Sequence, residues 1–165
     1  MKRLIAIVIL LTELMIVGRA QDKRAIYDET IDVNIQIDKA LAQAEQDGKF
    51  VVCQVGGNWC PWCLKFAEFI TADEDISRMI ADNYVYIHVN YHPRKASSEA
   101  EKAKATALMK RLGNPGRFGF PVLVVLDSKG SVVHIQDSAL LEEGNDYNKE
   151  KVIRFFKLWT PEVSN

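Results

Sequence analysis

The 165-residue sequence contains only three cysteines, too few for the disulfide-dense scaffolds that hold together small secreted domains with little core. It also lacks a basic stripe. Its 21 lysines and arginines stand against 22 acids, for a formal charge of −1, so the electrostatic footprint of a nucleic-acid binder is missing. No internal repeat and no low-complexity linker interrupts the chain, and one domain is sufficient. With 48% apolar residues, that domain can bury a substantial core, which excludes disordered and fibrous classes.

No apolar run is long enough to cross a membrane. The most apolar stretch, Leu4 to Leu11, resumes past Glu13 as Leu14 to Val17; it falls short of the roughly 20 residues a span needs, and an internal charge is costly in hydrocarbon. Lys2 and Arg3 precede this run, and the small residues Gly18 and Ala20 follow it. That pattern predicts a signal peptide over residues 1–20, cleaved before Gln21, and a periplasmic or secreted protein with no stable membrane span after cleavage. No cysteine follows the cleavage point, so a lipid anchor is not indicated. Losing Lys2, Arg3, Arg19 and Glu13 leaves 18 basic against 21 acidic residues, a mildly acidic surface with a net charge of −3.

Apolar Ile37, Ala40, Leu41 and Ala44 recur at helical spacing, and Asp47-Gly48 ends the segment, predicting a helix over 34–47. Phe50 to Val55 is a short β-branched run bounded by glycines, the pattern of a strand buried on both faces. A helix then starts at Cys60, because Pro61 suits the first helical position. Thr71 and Glu74 have capping-box spacing for a second short helix carrying Ile76, Met79 and Ile80. Tyr84 to Val89 reads as a strand, and Ser98 and Glu101 form a further capping box for an alanine-rich helix that stops at Gly113. Val122 to Leu126 and Ser131 to Ile135 make an antiparallel hairpin across Asp127-Ser128-Lys129-Gly130. Asp146 or Asn148 caps a last helix with Val152, Phe155, Phe156 and Trp159, and Pro161 lies beyond it. A βαβ unit followed by a ββα unit fits one mixed α/β sheet.

The chemistry lies at Cys60-Pro61-Trp62-Cys63, placed at a strand-to-helix junction. Thiol exchange needs a thiolate, and a free cysteine has a pKa of about 8.5. A helix N-terminus offers unpaired N–H groups and the positive end of the macrodipole, which stabilise the thiolate. Cys60, at the very start, receives most of this effect and is the expected nucleophile. Cys63, one turn in and more buried, suits the resolving role.

The run Gly57-Asn58-Trp59-Cys60-Pro61-Trp62-Cys63 after a buried strand, with Phe120-Pro121 opening a later one, resembles the thioredoxin superfamily, and most closely its exported bacterial members. The resemblance spans roughly Asp38 to Trp159. It implies a thioredoxin fold, a three-layer α/β/α arrangement around a mixed sheet of about four to five strands, occupying residues 34–165. Residues 21–33 would be an N-terminal extension, either an edge strand using the alternating Ile31, Val33 and Ile35 or a tether. The resemblance also implies that Pro121 is a cis-proline facing the dithiol, and that the backbone of Phe120 pairs with a substrate chain. Trp59, Trp62, Phe120 and Pro121 are then the expected substrate-contacting set, with Trp59 favoured for packing or shielding and Trp62 for partner contact.

One position departs from the family pattern. A buried acid often stands six positions before the first cysteine and helps take the resolving thiol's proton; here that position is Gln54. Proton transfer from Cys63 is therefore expected to rely on water or another group, with slower exchange at neutral pH than in an ordinary thioredoxin. The Pro-Trp dipeptide between the cysteines leads us to expect a pair less reducing than thioredoxin.

The expected activity is protein thiol-disulfide oxidoreduction without a cofactor. A monomer would act on substrate proteins with cysteines or disulfides and be recycled by a redox partner that the sequence does not identify. Two alternatives stand beside it. One is a thioredoxin-like binding module whose disulfide does not cycle; the other is metal capture by the reduced dithiol, disfavoured because no second cysteine pair accompanies the first. Cys53 reads as an inert core residue, Lys65 and Glu68 as a solvated surface pair, and His88 as a residue on a half-polar strand face.

Overall fold

An apolar run without alternation needs cover on both faces, and β1 (Phe50–Gly56) is buried along its whole length. It lies inside a four-stranded mixed sheet with β2 (Tyr84–Asn90), β3 (Val122–Leu126) and β4 (Val132–Asp137), in the order β2-β1-β3-β4. β1 runs parallel to β2 and antiparallel to β3, and β3 pairs antiparallel with β4. The computed structural model describes residues 25–162; the expected signal peptide lies outside the described residues. Among the described residues no helix is long and apolar enough to cross a membrane.

Among the described residues five α-helices cover the sheet. On one face α1 (Val33–Asp47) and α4 (Glu99–Arg111) contribute Ile37, Ala40, Ala44, Leu108 and Met109 to a core with Val51, Cys53, Val55, Val122 and Val124. On the other, α2 (Pro61–Ala72), α3 (Glu74–Asn83) and α5 (Lys149–Leu158) bring Phe66, Ile70, Ile76, Val152, Phe155 and Phe156 against Val52, Leu123 and Val125. Alternate residues of β1 and β3 thus feed opposite cores. At about 1.5–3 kcal/mol per buried large apolar side chain, the two layers together supply the main stabilising term. The sheet has four strands, and the layering is the three-layer α/β/α arrangement of a thioredoxin fold.

Local chemistry explains most element boundaries. Gly48 ends α1 at φ 66°, a left-handed conformation that glycine adopts without strain. The Ser98–Glu101 capping box is present in full. In the β3–β4 turn the Asp127 carboxylate accepts from Lys129 and Ser131 N–H groups at 3.0 and 2.8 Å. Asn148, of the two expected caps, begins α5, accepting from Lys151 N.

Two expectations about helix ends are corrected. Thr71 does not cap α3: its hydroxyl donates back to the Ala67 carbonyl at 2.8 Å inside α2. Asp73 caps instead, accepting from Asp75 and Ile76 N–H groups, and Lys149 pairs with it at 2.7 Å. Trp159 lies just past α5 and stacks on His134 at 4.0 Å. A short ribbon that the sequence reading missed, β5 (Glu142–Glu143) with β6 (Asp146–Tyr147), turns at Gly144 with φ 62°. Its signal was the Gly144-Asn145 pair, which reads as a turn.

His88 is half-buried on β2, in register with Gln54 of β1. Its ring meets Tyr27 and Tyr86 edge-on at 5.2 and 5.4 Å, and its buried Nε2 has no partner among the described residues. Burial pushes the imidazole down from 6.5 to about 4, so the folded protein holds it neutral. The unfolded chain takes up that proton first as pH falls, so this contribution to stability is complete above about pH 6.5, is lost between 6.5 and 4, and is flat below. Urea unfolding across that window is expected to show a loss of about 3 kcal/mol that the His88→Leu variant lacks.

Candidate active site

β1 ends at Gly56, and the chain turns through Gly57-Asn58-Trp59 before α2 begins at Pro61. Cys60 is the N-cap of α2, in extended backbone, and the Cys63 N–H points at its sulfur at 3.2 Å. A helix start leaves such N–H groups without intrahelical partners, so the sulfur occupies a place that favours negative charge. Cys60 and Cys63 are joined by a disulfide with their Cα atoms 5.2 Å apart. Cys63 is fully buried, and Cys60 is 4% exposed.

The Phe120–Pro121 peptide bond is cis, and the Phe120 carbonyl oxygen lies 3.5 Å from the Cys60 sulfur. The structure therefore brings Cys60, Cys63, Phe120 and Pro121 together. Trp59 and Trp62 flank them. Trp59 is 40% exposed, hydrogen-bonded through Nε1 to the Tyr91 carbonyl and in ring contact with His92 and Phe120. Trp62 is partly buried, edge-on to Tyr147 at 5.4 Å. The cause is the missed ribbon, which sets Tyr147 against α2 and lets its hydroxyl donate to the Trp62 carbonyl at 3.2 Å. Lys65 does not pair with Glu68; its ammonium donates to the Asn145 carbonyl and sits 4.8 Å from the centre of the Trp62 ring.

Gln54 lies directly beneath Cys63 and is wholly buried. A buried amide is costly unless its hydrogen bonds are made, and here both ends make them. Nε2 donates to the Cys63 carbonyl at 2.9 Å and to the Tyr27 hydroxyl at 2.6 Å, while Oε1 accepts from the Tyr86 hydroxyl at 2.6 Å. Cys53, its neighbour in β1, is a free and fully buried thiol that burial pushes up to about 12, the condition of an inert packing residue.

Tyr27 was missed by the sequence reading, as was the role of Asn58. Residues 25–32 form no edge strand; they run as a strap across the start of α2. The Asn58 side-chain oxygen accepts from the Ile26 and Tyr27 N–H groups, both at 3.1 Å, and its amide donates to the Tyr27 carbonyl at 2.8 Å. Tyr27 is thereby seated, 1% exposed, against Cys60 and Cys63. Asn58 was visible beside the cysteines, but a strap residue distant in sequence gave no periodic signal.

With this geometry in place, comparison with known proteins decides the family. A model of the thioredoxin-like domain matches residues 37–142. The chain belongs to the thioredoxin-like domain family. It is 30% identical over 98 residues to the thiol:disulfide interchange protein DsbD of Yersinia enterocolitica, a match covering 59% of this chain and only 15% of that much longer protein. Among solved structures it resembles a disulphide isomerase from Xylella fastidiosa, with a TM-score of 0.63, 23% identity, and coverage of 79% of this chain and 93% of that one. It also resembles the oxidised C-terminal domain of Neisseria meningitidis DsbD, with a TM-score of 0.50, 19% identity, and coverage of 76% and 94%. As a thioredoxin-like domain with a Trp-Cys-x-x-Cys motif, the chain is related to thiol-disulfide oxidoreductases.

Gly56 has no space for a side chain: a Cβ there would sit 2.4 Å from the Cys63 sulfur and 3.1 Å from the Tyr27 hydroxyl. The Gly56→Ala variant is expected to lose about 1–3 kcal/mol of stability by overpacking. Urea unfolding of the oxidised protein checks this, and an unchanged midpoint would refute the close approach.

Proposed function

We propose that this protein is an exported protein thiol-disulfide oxidoreductase in which Cys60 is the nucleophile and Cys63 the resolving thiol. The observation that carries the reading is the Cys63 N–H aimed at the Cys60 sulfur at the cap of α2, the place where a helix favours a thiolate. The Cys60 thiolate attacks a substrate disulfide, forming a mixed disulfide and releasing one substrate thiolate. Cys63, as thiolate, then attacks the Cys60 sulfur, releasing the second substrate thiolate and closing the Cys60–Cys63 disulfide. A redox partner returns two electrons; the reverse sequence is an oxidase.

The Phe120 carbonyl beside the Cys60 sulfur and the rings of Trp59, Trp62 and Phe120 form the surface for a substrate chain, with Pro121 shaping it. Export rests on the composition of residues 1–20, and the working location is the periplasm or the exterior.

The deciding experiment is the equilibrium potential of the Cys60–Cys63 pair in the protein lacking residues 1–20, titrated with glutathione and dithiothreitol and read by trapping free thiols. The expected value lies above the roughly −270 mV of thioredoxin. A Cys63→Ser variant is expected to retain mixed disulfides with cysteine-containing proteins. A pair that never titrates would overturn the reading in favour of a binding module with a permanent disulfide.

A further inference from the structure

The Cys63 carbonyl oxygen can only accept a hydrogen bond, so the Gln54 amide must face it with nitrogen. This fixes the whole network. Nε2 spends its second hydrogen on the Tyr27 hydroxyl oxygen, and Oε1 takes the Tyr86 hydrogen. The Tyr27 hydroxyl thus acts as an acceptor toward Gln54, and its own hydrogen is left over. Among the described residues no acceptor takes that hydrogen, although Tyr27 is almost fully buried. A buried donor without a partner is costly. Cys63 is the adjacent group that changes: its sulfur and the Tyr27 hydroxyl both border the single point where Gly56 lacks a Cβ. In the disulfide that sulfur is a weak acceptor, whereas as a thiolate it becomes a strong one.

We propose that Tyr27, carried in by the strap and oriented by Gln54, is a positioning residue that donates its hydroxyl hydrogen to the Cys63 thiolate and so sets the pH at which Cys63 resolves a mixed disulfide. The inference rests on the exchange chemistry proposed above. In the resolving step the Cys63 thiol gives its proton to solvent, the thiolate attacks the Cys60 sulfur, the leaving thiolate departs, and the Tyr27 hydroxyl keeps its own proton. Burial holds that hydroxyl far above the ordinary tyrosine range, so it remains a donor throughout. The titratable groups around it are Tyr86 and His88 from β2, Tyr147 from β6, and Cys60. The tyrosines stay protonated and His88 neutral near pH 7, so none of them supplies the compensating charge.

The test loads Cys60 with 2-nitro-5-thiobenzoate and follows release of the coloured thiolate by Cys63 in stopped flow from pH 5 to 10, which needs no natural substrate. Tyr27→Phe keeps the ring and removes the hydroxyl. Its midpoint is expected to rise by about one pH unit, slowing release at pH 7 about tenfold, while the rate at high pH stays that of wild type. Tyr86→Phe, which empties the other side of Gln54, is expected to shift the midpoint less. A Tyr27→Phe profile that overlays wild type overturns the assignment. So does a Tyr86→Phe shift as large as that of Tyr27→Phe, which would assign the effect to the amide network as a whole. Wild-type protein that releases nothing at any pH overturns the exchange reading, and this inference with it.

Discussion

The sulfur of Cys60 stands where the first turn of α2 has N–H groups that the helix cannot satisfy, and it serves as the helix cap in place of an oxygen. Much of the architecture follows from keeping it there. β1 must end at the helix start, so it occupies an interior position of the sheet, held by β2 on one side and β3 on the other. β3 in turn delivers Phe120 and Pro121 to the same end. A strand that close to the dithiol leaves no space for a side chain at Gly56. The reactive pair is thus built on rigid elements, and its surroundings are fixed by packing on both faces of the sheet.

Two further pieces complete the enclosure. The ribbon of β5 and β6 seats Tyr147 against Trp62, Phe66 and Phe69, so Trp62 is half-buried against the core. The strap, fixed by Asn58, closes the opposite side with Tyr27. Trp59 is left as the exposed ring beside Phe120. Exposure here is decided by what packs from elsewhere in the chain.

The helices, the strands and the cysteine pair were legible in the sequence because each is written locally. The β1 run of Phe50 to Val55, the proline after Cys60, and the Ser98–Glu101 box each carry their own physical signal. The boundary between α2 and α3 was misplaced because Thr71 and Asp73 both have capping chemistry. Only the three-dimensional path shows that Thr71 bonds backward and that Lys149 arrives to hold Asp73. Tyr27, Tyr86 and the environment of His88 were illegible for a related reason. Their meaning comes from converging on Gln54 out of separate segments, and no spacing rule encodes convergence.

Gln54 was read from sequence as the loss of an acid, and the geometry changes what that loss means. A carboxylate at this place would set its lone pairs against the Cys63 carbonyl, which offers no hydrogen in return, and it would bear the desolvation cost of a charge in a site lined by tyrosines and thiols. The amide satisfies the Cys63 carbonyl, accepts from Tyr86, and still has a hydrogen with which to orient Tyr27. An aspartate would also be one methylene shorter and could not reach both tyrosines from the same backbone position. Restoring the family's acid at position 54 alone would therefore dismantle the neutral network around the amide. The strap's tyrosine and the strand's glutamine have to be understood, and exchanged, as a pair.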